Sequence, residues 1–292
     1  MRSPLAPGRR VAARSTIRRA PAAWYPGPAT DRHGTPDARP ARPGLRLTGR
    51  VVEQWPWADE AEPGYWEWPP STGELIRTCW RVVVAQDGSW TTGGAEYWGL
   101  CFTRYADGRQ EATLAGPAVE ARQMSLQAGE VSWGVDLHAH VTGRRPAKGD
   151  LVGKLQALPT EHVGGQWWYE LAGVRLAVPD VGQLEAAVAQ LHAAGLLFSE
   201  PVTAAALAGR ETGVPDRTLR RRFRAVTALR QAQVTQIERA RAAFELLRAG
   251  VPLADAAGRA GYADQSHMTR ELRRLTGRTP GRLVDADDLS LG

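Results

Sequence analysis

Residues 252–274 read PLADAAGRAGYADQSHMTRELRR, and residues 202–223 read VTAAALAGRETGVPDRTLRRRF. Each begins as a short alanine-rich helix, passes a glycine (Gly261 in one, Gly213 in the other) and continues as a second helix rich in arginine. This is the pattern of a helix-turn-helix: glycine supplies the positive φ of a tight turn, and small alanines let the two helices approach closely. At about 100° per residue, Leu219, Phe223 and Val226 share one face of the first arginine-rich helix, with Arg217, Arg221 and Arg224 opposite. In the second, Met268, Leu272 and Leu275 share the packing face, and Ser266, Arg270 and Arg273 lie opposite. A shift of 49 residues (217 to 266) carries one outward triad onto the other. A randomly solvated face has little reason to repeat in this way.

The residue types suit double-stranded DNA. The planar fork of arginine can meet guanine O6 and N7 together, while Ser, Thr, Gln and His reach base edges or phosphates. Arg217, Arg221, Ser266, His267 and Arg270 are therefore the expected base-edge or adjacent backbone contacts, with Thr218, Arg224, Gln265, Thr269 and Arg273 in support. Between the copies, RQAQVTQIERARAAFELLRA (230–249) reads as one connecting helix. Twenty residues span about 30 Å, close to the roughly 34 Å of one DNA turn. Further helices are expected at about 181–195, 202–210, 216–226, 253–260, 264–276 and 280–284, which makes the C-terminal unit all-α.

The stretch LADAAGRAGYADQSHMTRELRRLTGRTP (253–280) resembles the C-terminal signature of the AraC/XylS family of bacterial transcription regulators. Ala257, Gly261, Tyr262, Ser266, His267, Arg270, Gly277, Thr279 and Pro280 carry the likeness. Gly213, Arg217, Leu219, Arg221 and Phe223 extend it upstream, and Arg239, Ala243, Leu246 and Leu247 extend it through the connector. It covers about residues 181–283. Three departures stand out: Met268 and Leu272 replace phenylalanines, Pro215 replaces a serine suited to capping the first reading helix, and Thr227 and Arg230 replace a glycine and a proline after that helix. The resemblance implies a DNA-binding regulator of promoters that activates by recruiting RNA polymerase or represses by blocking it. It also implies a second domain, often β-rich, that senses a small effector or forms a homodimer.

Upstream of Pro179 the texture is that of strands: RVVVA (81–85), YWGLCF (97–102) and WWYELAGVRLAV (167–178), punctuated by DG at 87–88, GG at 93–94, DG at 107–108 and GG at 164–165. The expected architecture is thus multidomain, a β-rich N-terminal domain (cupin-like barrel or sandwich) joined to an all-α domain with two helix-turn-helix units. Residues 1–43 read as a disordered basic tail, 44–179 as the sensor or dimerisation domain, 180–284 as the DNA-binding domain and 285–292 as an acidic tail. Net charge follows the same division: +7, −4, +6 and −3 for the four segments, so the folded positive part is the C-terminal third. The tryptophans from Trp55 to Trp168 are expected to fill core and rim of the β-domain, although aromatics can also line a pocket for an apolar molecule.

The sharpest rival reading is a metal site in GVDLHAHVTG (134–143), since alternation along a strand puts Asp136, His138 and His140 on one face. No third ligand-bearing segment is placed by spacing, so neither metal nor cofactor is expected. Cys79 and Cys101 allow at most one disulfide and read as buried packing residues in a reducing compartment. No Ser/His/Asp order or phosphate-cradling Gly-Lys loop appears, no apolar run approaches the roughly 18 residues of a membrane span, and the N-terminus lacks the apolar core of a secretory signal. These features exclude the common enzyme and membrane classes and point to a cytoplasmic protein. A scaffold for an acidic protein partner is the remaining alternative, and the repeated outward triads argue against it.

Overall fold

The computed structural model describes residues 49–51, 63–283 and 289–290. The basic segment 1–43 lies outside the described residues, as does most of the acidic segment 285–292. The strands are β1 Gly49–Val51, β2 Gly64–Trp68, β3 Ile76–Val83, β4 Gly88–Thr92, β5 Trp98–Arg104, β6 Gln110–Ala115, β7 Arg122–Leu126, β8 Val131–Leu137, β9 Val141–Gly143, β10 Leu155–Leu158, β11 Thr160–Val163, β12 Gln166–Leu171, β13 Val174–Ala177, β14 Leu197–Ser199 and β15 Leu289–Ser290. The helices are α1 Leu184–Ala193, α2 Pro201–Leu207, α3 Asp216–Thr227, α4 Gln231–Arg248, α5 Leu253–Arg259, α6 Gln265–Thr276 and α7 Pro280–Leu283. Among them, no helix is long and apolar enough to cross a membrane.

Hairpins follow the turn chemistry. Gly108 (φ 84°) joins the antiparallel pair β5–β6, and Gly164 and Gly165 join β11–β12. The run 167–178 folds as a hairpin, because Ala172 and Gly173 both take positive φ, the conformation of a tight two-residue turn. A seven-stranded sheet in the order β1-β2-β3-β8-β5-β6-β10 forms the centre of the domain.

Strand alternation gives that sheet two inner faces. One carries Tyr65, Trp80, Val82, Cys101 and Ala115 against Trp90, Met124 and Leu126 of the β15-β4-β7 sheet. The other carries Cys79, Phe102, Trp133, Val135 and Leu137 and is covered by Tyr169 and Leu171 of the β11-β12-β13 sheet and by Leu184, Val188 and Leu191 of α1. Cys79 and Cys101 are both buried free thiols on opposite faces, and six tryptophans (66, 68, 80, 90, 98 and 133) are core residues.

The helical core is separate. It gathers Phe223, Val234, Ile237, Phe244, Ala257, Tyr262, Met268, Leu272, Leu275 and Leu283, and α2 contributes Leu207 at its edge. α1 therefore belongs to the first core although its composition is that of the C-terminal unit. β14, which pairs with β9, is the last element on that side.

Candidate nucleic-acid interface

The two reading units are built alike from the backbone up. α2 and α5 each end on an alanine followed by a left-handed glycine: Ala208–Gly209 (φ 66°) and Ala260–Gly261 (φ 79°). The closing hydrogen bonds match residue for residue. Gly209 N donates to Ala206 O and Arg210 N to Ala205 O; Gly261 N donates to Gly258 O and Tyr262 N to Ala257 O. The counterpart of Gly261 is thus Gly209. Gly213, assigned that part from sequence, lies further along a longer turn, also at positive φ (65°). Spacing from the reading helix misled, because the first turn takes more residues to reach its helix than the second.

α3 and α6 end identically as well. The Thr227 hydroxyl donates to Phe223 O and accepts from Leu229 N, and the Thr276 hydroxyl donates to Leu272 O and accepts from Arg278 N. The left-handed residue that follows is Gly277 (φ 73°) in α6 but Ala228 (φ 63°) in α3. The glycine position is therefore occupied by Ala228, and Thr227 is a matched partner of Thr276. The starts differ. Asp264 caps α6 by accepting from His267 N at 2.7 Å, while Pro215 leaves α3 without a side-chain cap.

Side-chain placement follows the repeat. Phe223, Val226, Met268, Leu272 and Leu275 are buried and Leu219 is half-buried, while Arg217, Arg221, Arg224, Ser266, Arg270, Arg273 and Gln265 are exposed. Thr218, His267 and Thr269 are half-buried. The His267 ring meets the Tyr262 ring edge-on at 5.3 Å. α4, at 18 residues, spans about 27 Å between the units. Arg239 ties it to the second unit by donating to Gly261 O and lying over the Tyr262 ring.

Arg220 and Arg230 escaped the sequence reading. With Arg221, Arg224, Phe223 and the first residues of α4 they line a hollow of about 430 Å³ where α3 hands over to α4. Arg220 falls between the two faces of the helical wheel, and Arg230 becomes part of this rim only once the chain turns at Ala228. The hollow is cationic and sits at a helix N-terminus, a combination that suits a phosphate oxyanion.

The β-domain grips the helical unit from the other side. Arg241 of α4 donates to both carboxylate oxygens of Glu96, at 3.1 and 2.7 Å. Burial alone would raise the Glu96 carboxyl, but the guanidinium beside it holds it below the usual carboxylate range. Gly94 N donates to Leu275 O at the end of α6, and Arg274 donates to Val119 O. A Cβ on Gly94 would stand 2.6 Å from Leu275 Cδ2 and 3.1 Å from Ala118 O, so any larger residue there would force the Leu275 side chain to shift.

The strand alternation that would put Asp136, His138 and His140 on one face does not run the length of that segment. β8 stops at Leu137, so Asp136 points into the inter-sheet interior whereas His138 and His140 follow the turn, their rings stacked at 5.1 Å and His138 Nε2 at 3.0 Å from Gly73 O. Among the described residues no three His, Cys, Asp or Glu side chains gather as a metal set.

A family model described as a helix-turn-helix domain matches residues 208–286. The C-terminal helices form an AraC-type helix-turn-helix domain. That domain makes the chain a DNA-binding transcription regulator. A search of curated proteins finds no match. Among solved structures, ToxT from Vibrio cholerae is similar at 6% identity over 70% of this chain and 96% of that one (TM-score 0.33). ToxT of strain O395 is similar at 9% over 75% and 96% (TM-score 0.35), and its complex with (E)-4-(8-methylnaphthalen-1-yl)but-3-enoic acid at 8% over 70% and 96% (TM-score 0.37).

Proposed function

We propose that the AraC-type domain reads two successive major-groove segments of promoter DNA, α3 in one and α6 in the next, with α4 as the rigid spacer. The observation that carries this reading is the double repeat: outward residues 217, 221 and 224 and inward residues 219, 223 and 226 map onto 266, 270, 273 and 268, 272, 275 by one shift. Arg217, Arg221, Ser266 and Arg270 meet base edges, with Thr218, Arg224, Gln265, Thr269 and Arg273 on flanking phosphates or bases. His267, held against Tyr262, contributes from the rim of the same face. Arg220 and Arg230 add a phosphate seat at the start of α4. The β-domain biases occupancy through a small effector or dimerisation, in the cytoplasm, and the outcome is read by RNA polymerase.

Selection of bound duplexes from a random library by the purified full chain tests this. Two short motifs about 10 base pairs apart are expected, and Arg270→Ala is expected to weaken binding to the selected site by roughly 1–3 kcal/mol with relaxed preference at one base. A single enriched motif, or an unchanged preference in Arg270→Ala, would sink the two-headed reading or that assignment respectively.

A further inference from the structure

The β-domain as a whole is acidic, with net charge −4, yet its stretch RRPAKGDLVGK (144–154) holds four basic residues against one acid. That stretch leaves β9 at Gly143 and enters a single turn of 3-10 helix, Lys148–Leu151. Both β9 and the turn lie against α3, the first arginine-rich helix. Arg144 and Arg145, in the short loop between them, are exposed, and among the described residues no acidic side chain engages either guanidinium.

The loop is fastened at both ends. Gly143 pairs with Leu197 of β14, and Arg144 N donates to Leu196 O. On the other side Lys148 is only 3% exposed, and its ammonium donates to Ala139 O at 2.9 Å and to Val141 O at 2.6 Å, just before the loop begins. The same ammonium stands 5.3 Å from the centre of the Trp98 ring. A buried ammonium is tolerated only when it is hydrogen-bonded in this way, and what these bonds hold in place is the pair of arginines. Leu151 is buried in the β-domain core and Val152 packs on the helical core, so the segment is tied to both units.

Charge argues against plain docking at this contact. Where the β-domain grips α4 it offers an acid to an arginine, Glu96 to Arg241. Beside α3, which carries five arginines and one aspartate, it offers two more arginines instead. Like charges gathered at a contact repel each other, and a polyanion lying across both surfaces turns that repulsion into attraction.

We propose that Arg144 and Arg145 bind the sugar–phosphate backbone of the duplex beside the groove segment met by α3, so that the β-domain itself takes part in holding DNA. Arginine grips phosphate oxygens through its planar fork, and such contacts fix register without reading sequence. The first reading helix, which lacks the side-chain cap that Asp264 gives the second, thereby gains an anchor from outside the helical domain. This contact presupposes the two-headed DNA reading above and adds to it a partner surface on the other domain.

The test compares the full chain with the double variants Arg144→Ala/Arg145→Ala and Arg144→Lys/Arg145→Lys on the duplex that the parent selects. Affinity is followed from about 50 to about 200 mM salt, and phosphate ethylation interference maps the contacts. Two lost phosphate contacts lower the slope of log K against log salt by about 1.8, so the parent should lose about tenfold more affinity than the alanine variant over that range. The lysine variant keeps the charge and should keep most of the slope, and base preference should be the same in all three proteins. The motif whose preference relaxes in Arg270→Ala marks α6; interference lost in the alanine variant should cluster at the other motif. An alanine variant with the parent's slope and interference pattern overturns the proposal and leaves the loop to an acidic protein partner, while the DNA reading stands. Interference lost at the α6 motif instead overturns the placement beside α3. A parent chain that selects no duplex overturns both readings.

Discussion

Exchanging the residues that close α3 and α6 gives a measurement with its own internal control. Ala228 and Gly277 occupy the same left-handed position after matched threonines, with N–H groups donating to Arg224 O and Arg273 O. A left-handed conformation costs an L-residue about 1–2 kcal/mol, and the wider freedom of glycine in the unfolded chain takes back about 0.4–1 kcal/mol. Ala228→Gly is therefore expected to stabilise the protein by about 0.5–1 kcal/mol, and Gly277→Ala to destabilise it by a similar amount. At Gly277 the added Cβ would stand 3.5 Å from Ala121 Cβ, an ordinary contact, so steric pressure does not enlarge the second effect. Calorimetric or fluorescence-detected melting should show opposite shifts of about 2–4 °C per kcal/mol for a chain of this size. The double exchange should return close to the parent value, since the two sites share no partner. A neutral or destabilised Ala228→Gly would refute the argument that this position is strained.

Further outcomes follow from contacts already described. Arg241→Met leaves the Glu96 carboxylate buried and unpaired, which should cost about 3–5 kcal/mol in urea unfolding at neutral pH. Because Glu96 titrates below its ordinary value when folded, its pairing contributes fully above that ordinary value and is lost as the pH falls through the lower folded one; Glu96→Gln should flatten this acid limb of a stability–pH profile, and an unchanged limb would count against the pair. Gly94→Ala should push Leu275 away from the β-domain and cost about 1–3 kcal/mol, with faster amide exchange at the end of α6 as the local sign. Asp264→Ala removes the α6 cap and should cost about 0.5–2 kcal/mol, whereas the uncapped α3 should gain from Pro215→Ser; equal, null effects would show that these helix starts are held by packing alone.

The helical unit was legible because its helices are amphipathic and bounded by glycine and proline: α3, α4 and α6 begin and end within about two residues of the expected positions. What failed there was local. Gly213 drew the turn because its spacing to α3 resembles that of Gly261 to α6, yet hydrogen bonding makes Gly209 the helix-ending residue. Thr227 was taken for a replaced glycine because sequence does not reveal which residue takes the left-handed conformation. In the β-domain the strands were legible as apolar runs but their ends were not. β8 stopping at Leu137 separates Asp136 from His138 and His140, and alternation has no means of announcing a strand's last residue. Arg220 and Arg230 come together only through the fold.

The membership of α1 in the β-domain core bears on how this protein can be divided. A gene fragment opened at Asp180, where the composition turns helical, would strip Leu184, Val188 and Leu191 of the sheet they cover and leave them bare on a soluble fragment. The natural scissors mark is after Ser199. There β14 has finished its pairing with β9, while Glu200 remains to cap α2 through the Thr203 N–H, so a fragment starting at Glu200 carries the reading heads without a greasy appendage.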